Sequence, residues 1–145
     1  MDKYLFSRFI ENVQRLNETF EQEDLRLLPV LSGKMTQAEF RVLVGISRRE
    51  GINLGRLADQ LGLAAGSVSP LMRSLAKQGL VARKVPGQNR RVVNLYLTET
   101  GRKAIRVREE SLRKTAHIIL EPLPEKEIRQ LVSLLETAAQ TRQGK

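Results

Sequence analysis

The chain has no cysteine, a single histidine (His117), and no apolar run near the roughly 20 residues that a membrane-spanning helix needs. Without cysteine, disulfide frameworks, thiolate nucleophiles, cysteine-based redox sensing and sulfur-ligated metal sites are excluded together. One histidine leaves too little material for an imidazole metal cluster. The amino terminus lacks the charged-then-apolar pattern of a signal peptide, so the expectation is a soluble, cytoplasmic protein with no metal, no cofactor and no membrane partner. No nucleophile with a base and no carboxylate pair stands out either. Scattered acids such as Glu18 and Glu136 read as solvated helix faces, and an enzyme is not expected.

Acid is also nearly missing from one stretch. Residues 73–108 hold ten of the 25 Lys and Arg but only one of the 16 acids, Glu99, so the rest of the chain balances 15 against 15 and this stretch carries the whole net charge of +9. A neutral body with one basic segment is the electrostatic footprint of a protein that meets a polyanion. Membrane-surface binding fits less well, because the basic stretch spans a turn-rich segment and is not the polar face of a strongly apolar helix.

What is present is mostly helical periodicity. Leu5, Phe6, Phe9, Ile10, Val13, Leu16 and Phe20 recur every three or four positions and predict an amphipathic helix of about 25 residues that ends before Ser32-Gly33. Thr36 and Glu39 form a capping-box pair ahead of Phe40, Leu43, Val44 and Ile46, which places a second helix over Gln37–Arg49. Gly51 stops it. Asn53 then caps a short third helix with Leu54, Leu57, Ala58 and Leu61, closed by Gly62. A fourth helix follows at once, with Val68, Leu71, Met72 and Leu75 inward, and ends at Gly79.

Two helices joined around a glycine turn are a helix-turn-helix. Packing them steeply requires a small residue in the first, a glycine-like turn and a buried branched residue in the second; Ala58, Gly62 and Val68 supply these, with Leu57, Leu61, Leu63 and Leu71 around them. Two ordinary core helices would look similar, but a basic hairpin directly afterwards has no role in a core. Leu80–Val85 and Val92–Thr98 have strand character, and Pro86-Gly87-Gln88-Asn89-Arg90-Arg91 between them is a turn with two arginines. Thr98 caps a long polar helix through about Ile119. Pro122 and Pro124 break it, and Ile128, Leu131, Val132, Leu134, Leu135 and Ala138 mark a last amphipathic helix.

The fold class expected is therefore mainly α with a small β-hairpin wing: a winged helix-turn-helix over 34–101, flanked by helical dimerisation segments at 1–33 and 102–145. On the fourth helix, Ala65, Gly66, Ser67, Ser69, Pro70, Arg73 and Lys77 face outward. Small and hydroxyl side chains let a helix end sit deep in a major groove, while an arginine forks onto guanine or phosphate. Pro70 reads equally well as a helix-start residue, placing that start between Ala64 and Ser67. In the hairpin, Arg83, Lys84, Asn89, Arg90 and Arg91 are the candidate wing contacts, with Arg90 and Arg91 suited to a narrow minor groove. A merely solvated hairpin is the competing reading.

The stretch from Leu54 to Gly101 resembles the winged helix-turn-helix core of the MarR family of multiple-antibiotic-resistance-type regulators. The resemblance rests on the helix-turn-helix, the Gly79-Leu80-Val81 strand entry, the wing arginines, and Leu95-Tyr96-Leu97-Thr98 leading to Gly101. It implies a transcriptional repressor that binds pseudo-palindromic double-stranded DNA as a homodimer, with its terminal helices interlocked. It also implies a small aromatic or phenolic effector, bound between dimer helices and winged domain, that lowers DNA affinity by shifting populations. Nothing in the sequence identifies that effector. Arg8, Arg15 and Arg113 could meet a carboxylate, although exposed helix arginines are usually solvated; His117 reads as packed or solvated. The family's aspartate two residues before the wing arginine is replaced here by Asn89, ahead of Arg91, and an amide accepts a hydrogen bond without forming an ion pair. The lack of cysteine removes the peroxide-sensing thiol of one branch of the family. A winged domain that coats DNA without sequence preference, or that binds a protein partner, is the alternative.

Overall fold

A computed structural model describes residues 1–31 and 33–143, with side chains through residue 140. Its elements, in order, are α1 (Lys3–Leu31), α2 (Gln37–Arg48), β1 (Ile52–Asn53), α3 (Leu54–Leu61), α4 (Ala65–Lys77), β2 (Val81–Lys84), β3 (Asn94–Leu97), α5 (Glu99–Leu120) and α6 (Glu125–Gln143). They fall into two compact units, Met1–Ser111 and Leu112–Lys145.

The first unit holds a core that runs from Met35 to Ile105. Leu43 and Ile46 of α2, Leu57 of α3, Val68, Met72 and Leu75 of α4, and Leu95 of β3 are its largest fully buried side chains. Each buried side chain of this size removes enough apolar surface from water to contribute roughly 1.5–3 kcal/mol. The capping box at the start of α2 forms as its sequence requires. Thr36 Oγ1 accepts from the Glu39 backbone N–H at 3.2 Å, and Glu39 Oε2 accepts from the Thr36 N–H at 2.8 Å. Asn53 Oδ1 accepts from the Arg56 N–H at 2.9 Å and starts α3. Gly62 ends that helix with φ +66°, a left-handed conformation in which a side chain is strained. The chain can then turn into α4 within three residues.

The sheet has the order β1-β3-β2, antiparallel throughout, so the hairpin expected from the sequence gains a third strand. Two-residue β1 is too short to show a period; it exists because Ile52 pairs with Leu95 and Asn53 with Asn94. The hairpin strands are also shorter than Leu80–Val85 and Val92–Thr98 suggested, and nine residues, 85–93, connect β2 to β3. The turn chemistry extends pairing no further than Lys84 with Asn94. Leu63, expected beside the helix-turn-helix core, is instead exposed.

Thr98 caps α5, accepting the Gly101 N–H at 3.1 Å while donating its own hydroxyl to the Gly79 carbonyl at 2.6 Å. Gly101 is required here, because a Cβ would fall inside contact distance of the Leu80 carbonyl oxygen. On the other side of this first turn, Arg102 Nη2 meets Glu50 at 2.8 Å and Nη1 donates to the Leu97 carbonyl at 2.8 Å, while Leu97 N–H donates to Glu50 at 2.9 Å. One ion pair thereby satisfies both backbone groups of a strand-end residue. Arg108 forks onto Asp24 of α1 at 2.8 and 3.0 Å.

The α1 helix runs to Leu31, with Pro29 in its last turn; Ser32, part of the expected stop, lies outside the described residues. No residue of α1 is buried, and Leu5, Phe6, Phe9, Ile10, Val13 and Leu16 are all exposed. In the second unit, the turn through Pro122 and Pro124 leads into α6, whose Leu131, Val132, Leu134 and Leu135 are likewise exposed. Among the described residues, no helix is long and apolar enough to cross a membrane.

Candidate nucleic-acid interface

The fourth helix begins where Pro70 indicated, with Ala64 as its N-cap residue. Ala64 has no side-chain acceptor, so the first-turn N–H groups are left without a side-chain cap. Ala65, Gly66 and Ser67 form that first turn and are exposed, and Pro70, Arg73 and Lys77 are exposed further along; Ser69 is half-buried. The opposite side of the helix is fixed by Val68, Met72 and Leu75 in the core. Six of the seven residues expected to face outward therefore do so for a packing reason, and Ser69 does so only in part. Arg73 Nη1 reaches back to Ser69 Oγ at 3.4 Å.

The wing residues do not form one cluster. Antiparallel pairing sets Arg83 opposite Leu95 and Lys84 opposite Asn94. Since neighbouring side chains on a strand point to opposite faces, Arg83 shares the face of buried Val81, and Lys84 lies on the other. Lys84 Nζ sits 4.8 Å from the centre of the Tyr96 ring, a cation–π distance. Asn89 Oδ1 accepts from the Arg91 backbone N–H at 3.1 Å. The amide in the family's aspartate position thus closes a local turn and braces the backbone of Arg91. Arg90 and Arg91 are exposed.

A cleft of about 310 Å³ opens between α4 and the wing, lined among others by Asn53, Leu54, Ser69, Met72, Arg83 and Arg91. No carboxylate lines it. No local sequence pattern announces this cleft, because strand register alone brings Arg83 to that side.

The basic stretch 73–108 divides in two. Arg102, Arg106 and Arg108 are ion-paired with Glu50, Glu99 and Asp24. Glu99 itself is held below its usual carboxylate range, first by its hydrogen bond from Arg106 and by that residue's charge. Among the described residues, Arg73, Lys77, Arg83, Lys84, Arg90 and Arg91 of α4 and the wing, and Lys103 of α5, take part in no ion pair. The Glu50–Arg102 and Asp24–Arg108 pairs link residues 52 and 84 positions apart, and no local sequence pattern announces them. Of the other candidates, Arg15 pairs with Glu11 on its own helix, Arg8 lies against Tyr4, and Arg113 and His117 are exposed. Among the described residues, no three His, Cys, Asp or Glu are grouped to hold a metal ion.

A buried helix-turn-helix followed by a basic β-wing defines a winged helix-turn-helix protein. Residues 35–93 match the MarR family model. Over 67 residues the chain is 33% identical to the HTH-type transcriptional regulator SarZ of Staphylococcus haemolyticus, a match covering 46% of each chain. The chain spans about half the length of the curated relatives it matches. The fold is similar to a MarR family protein from Bacillus stearothermophilus, with a TM-score of 0.82 over 99% of both chains at 20% identity. It is also similar to Streptococcus pneumoniae FabT, solved in complex with DNA, with a TM-score of 0.75, 95% of this chain, 97% of that chain and 22% identity. Residues 35–93 are thus similar to the MarR family, and the fold of a MarR family protein is shared over nearly the whole chain.

Proposed function

We propose that this chain is a DNA-binding transcription regulator that reads a pseudo-palindromic operator as a homodimer and acts as a ligand-responsive repressor. The observation that carries the reading is the segregation of charge. Within residues 73–108, Arg102, Arg106 and Arg108 of α5 are ion-paired, whereas among the described residues the cations of α4 and the wing have no carboxylate partner. Cations free of acidic partners neutralise phosphates at no cost in broken ion pairs, and the release of counterions drives association.

In this reading residues 34–101 bind DNA. The first turn of α4, with Ala65, Gly66, Ser67, Ser69 and Pro70, enters the major groove, where small side chains permit a close approach and the uncapped N–H groups favour a phosphate. Arg73 and Lys77 contact the flanking backbone, and the wing, with Asn89, Arg90 and Arg91 at its tip, meets the adjacent minor groove. Residues 1–33 and 102–145 dimerise, which covers the apolar faces that α1 and α6 leave exposed. The names of similar regulators and the DNA complex of FabT support the assignment. A small aromatic or phenolic effector that prefers one separation of the two recognition helices would release DNA requiring another. A DNA target places this work in the cytoplasm.

The test is selection of bound sequences from random duplex DNA. The proposal predicts an enriched, roughly palindromic site with half-sites about one helical turn apart. Weak, steeply salt-dependent binding to every duplex would instead favour a DNA-coating winged protein.

A further inference from the structure

The cleft between α4 and the wing is not explained by groove contacts at the helix start or the wing tip. It brings together two arginines that the sequence separates by eight positions, Arg83 from β2 and Arg91 from the connecting loop, and places Ser69 of α4 beside them. Among the described residues, neither arginine has an ion-pair partner and no carboxylate lines the cleft. Two guanidinium groups sharing one cleft repel each other unless an anion lies between them. A tetrahedral oxyanion suits such a fork, since each guanidinium presents paired donors to two oxygens. Lys84, adjacent in sequence and of the same charge, is excluded by the strand's alternation and rests against Tyr96 on the other face of the sheet.

We infer that the cleft between α4 and the wing seats a single phosphodiester group of the DNA backbone, gripped jointly by Arg83 and Arg91, with Ser69 Oγ as a further donor. This rests on the DNA-binding reading and refines it. Arg90 is left as the arginine for the minor groove, Arg91 turns back to the backbone, and Lys84 makes no phosphate contact. The seat fixes the wing against the recognition helix once DNA is bound, because the same phosphate bridges both elements.

The experiment measures the salt dependence of binding to one duplex by wild type, Arg83→Met, Arg91→Met, the double variant and Lys84→Met, with thermal unfolding as a check on folding. Each neutralised phosphate contributes about 0.9 to the slope of log affinity against log salt. Because the seat forms only when both guanidinium groups are present, Arg83→Met and Arg91→Met should each release the phosphate and lower the slope by about one contact, with a roughly tenfold loss of affinity. The double variant should lower it by no more than either single, because both side chains serve one phosphate. Lys84→Met should leave the slope unchanged. A loss of two contacts in the double variant, or a Lys84→Met slope that falls as far as that of Arg83→Met, would overturn the shared seat while leaving DNA binding intact. Failure of the wild-type chain to bind any duplex would overturn both readings.

Discussion

The winged segment and the helices at the two ends of the chain solve the same problem in opposite ways. Between Met35 and Ile105 apolar side chains are driven out of water, and Leu43, Ile46, Leu57, Met72, Leu75 and Leu95 are fully buried within a single chain. Along α1 and α6 an equally regular apolar stripe is left in solvent, with Phe9 57% and Leu134 61% exposed. Periodicity alone cannot distinguish these cases, because a stripe encodes only a face to be covered. What separates them is the partner: α2, α3, α4 and the sheet cover one another, whereas the stripes of α1 and α6 await a second copy in the proposed dimer. The charges of the basic stretch add to the contrast: Arg102 and Arg108 are paired where they join separate elements, whereas among the described residues the cations of α4 and the wing have no ion pair.

The sharpest way to break the contrast is within the packed segment. Gly101→Ala should destabilise the folded chain by about 3 kcal/mol, the upper range for overpacking, because its methyl group is forced against the rigid Leu80 carbonyl. Denaturant unfolding measures this. Leu131→Asp, on the exposed stripe, should leave the unfolding of the winged segment nearly unchanged while converting the dimer to monomer and abolishing tight operator binding. Sedimentation alongside a DNA titration separates the two effects, and a monomer that still bound a full operator tightly would refute the dimer. Arg91→Ala, on an exposed loop, should lower DNA affinity roughly tenfold with no change in melting temperature.

The smallest effect concerns Glu39, the buried carboxylate of the capping box. Burial raises its pKa, but hydrogen bonds from Ser74, the Thr36 N–H and Gln78 outweigh that and hold it below the usual range. Folding therefore favours the carboxylate, and the stability it contributes is present above the unfolded pKa and is lost as pH falls through the folded one. Glu39→Gln should cost about 1 kcal/mol at neutral pH. The gap between variant and wild type should close on acidification; a gap that stayed constant with pH would show that Glu39 acts only by shape.

Most of this architecture was legible from local rules. Thr36, Asn53 and Thr98 announced their helices because a cap is decided within three residues, and Gly62 marked the turn because its backbone conformation admits little else. The outward residues of α4 followed from the inward ones. What escaped was set by pairing between distant segments. β1 exists only through Leu95 and Asn94; Glu50 meets Arg102 across 52 residues; and Arg83 and Lys84 part company only once strand register is known. A charge count could find the basic stretch, but not which cations were already committed to carboxylates.

The central claim is that two copies of this chain, joined by the stripes that one copy leaves bare, read one DNA site. The most direct test is the mass of the complex formed on the selected duplex, measured by sedimentation at concentrations well above dissociation. Two protomers on each palindromic site are predicted, with a half-site duplex bound far more weakly. One protomer on the full site, bound as tightly as the half-site allows, would contradict the account.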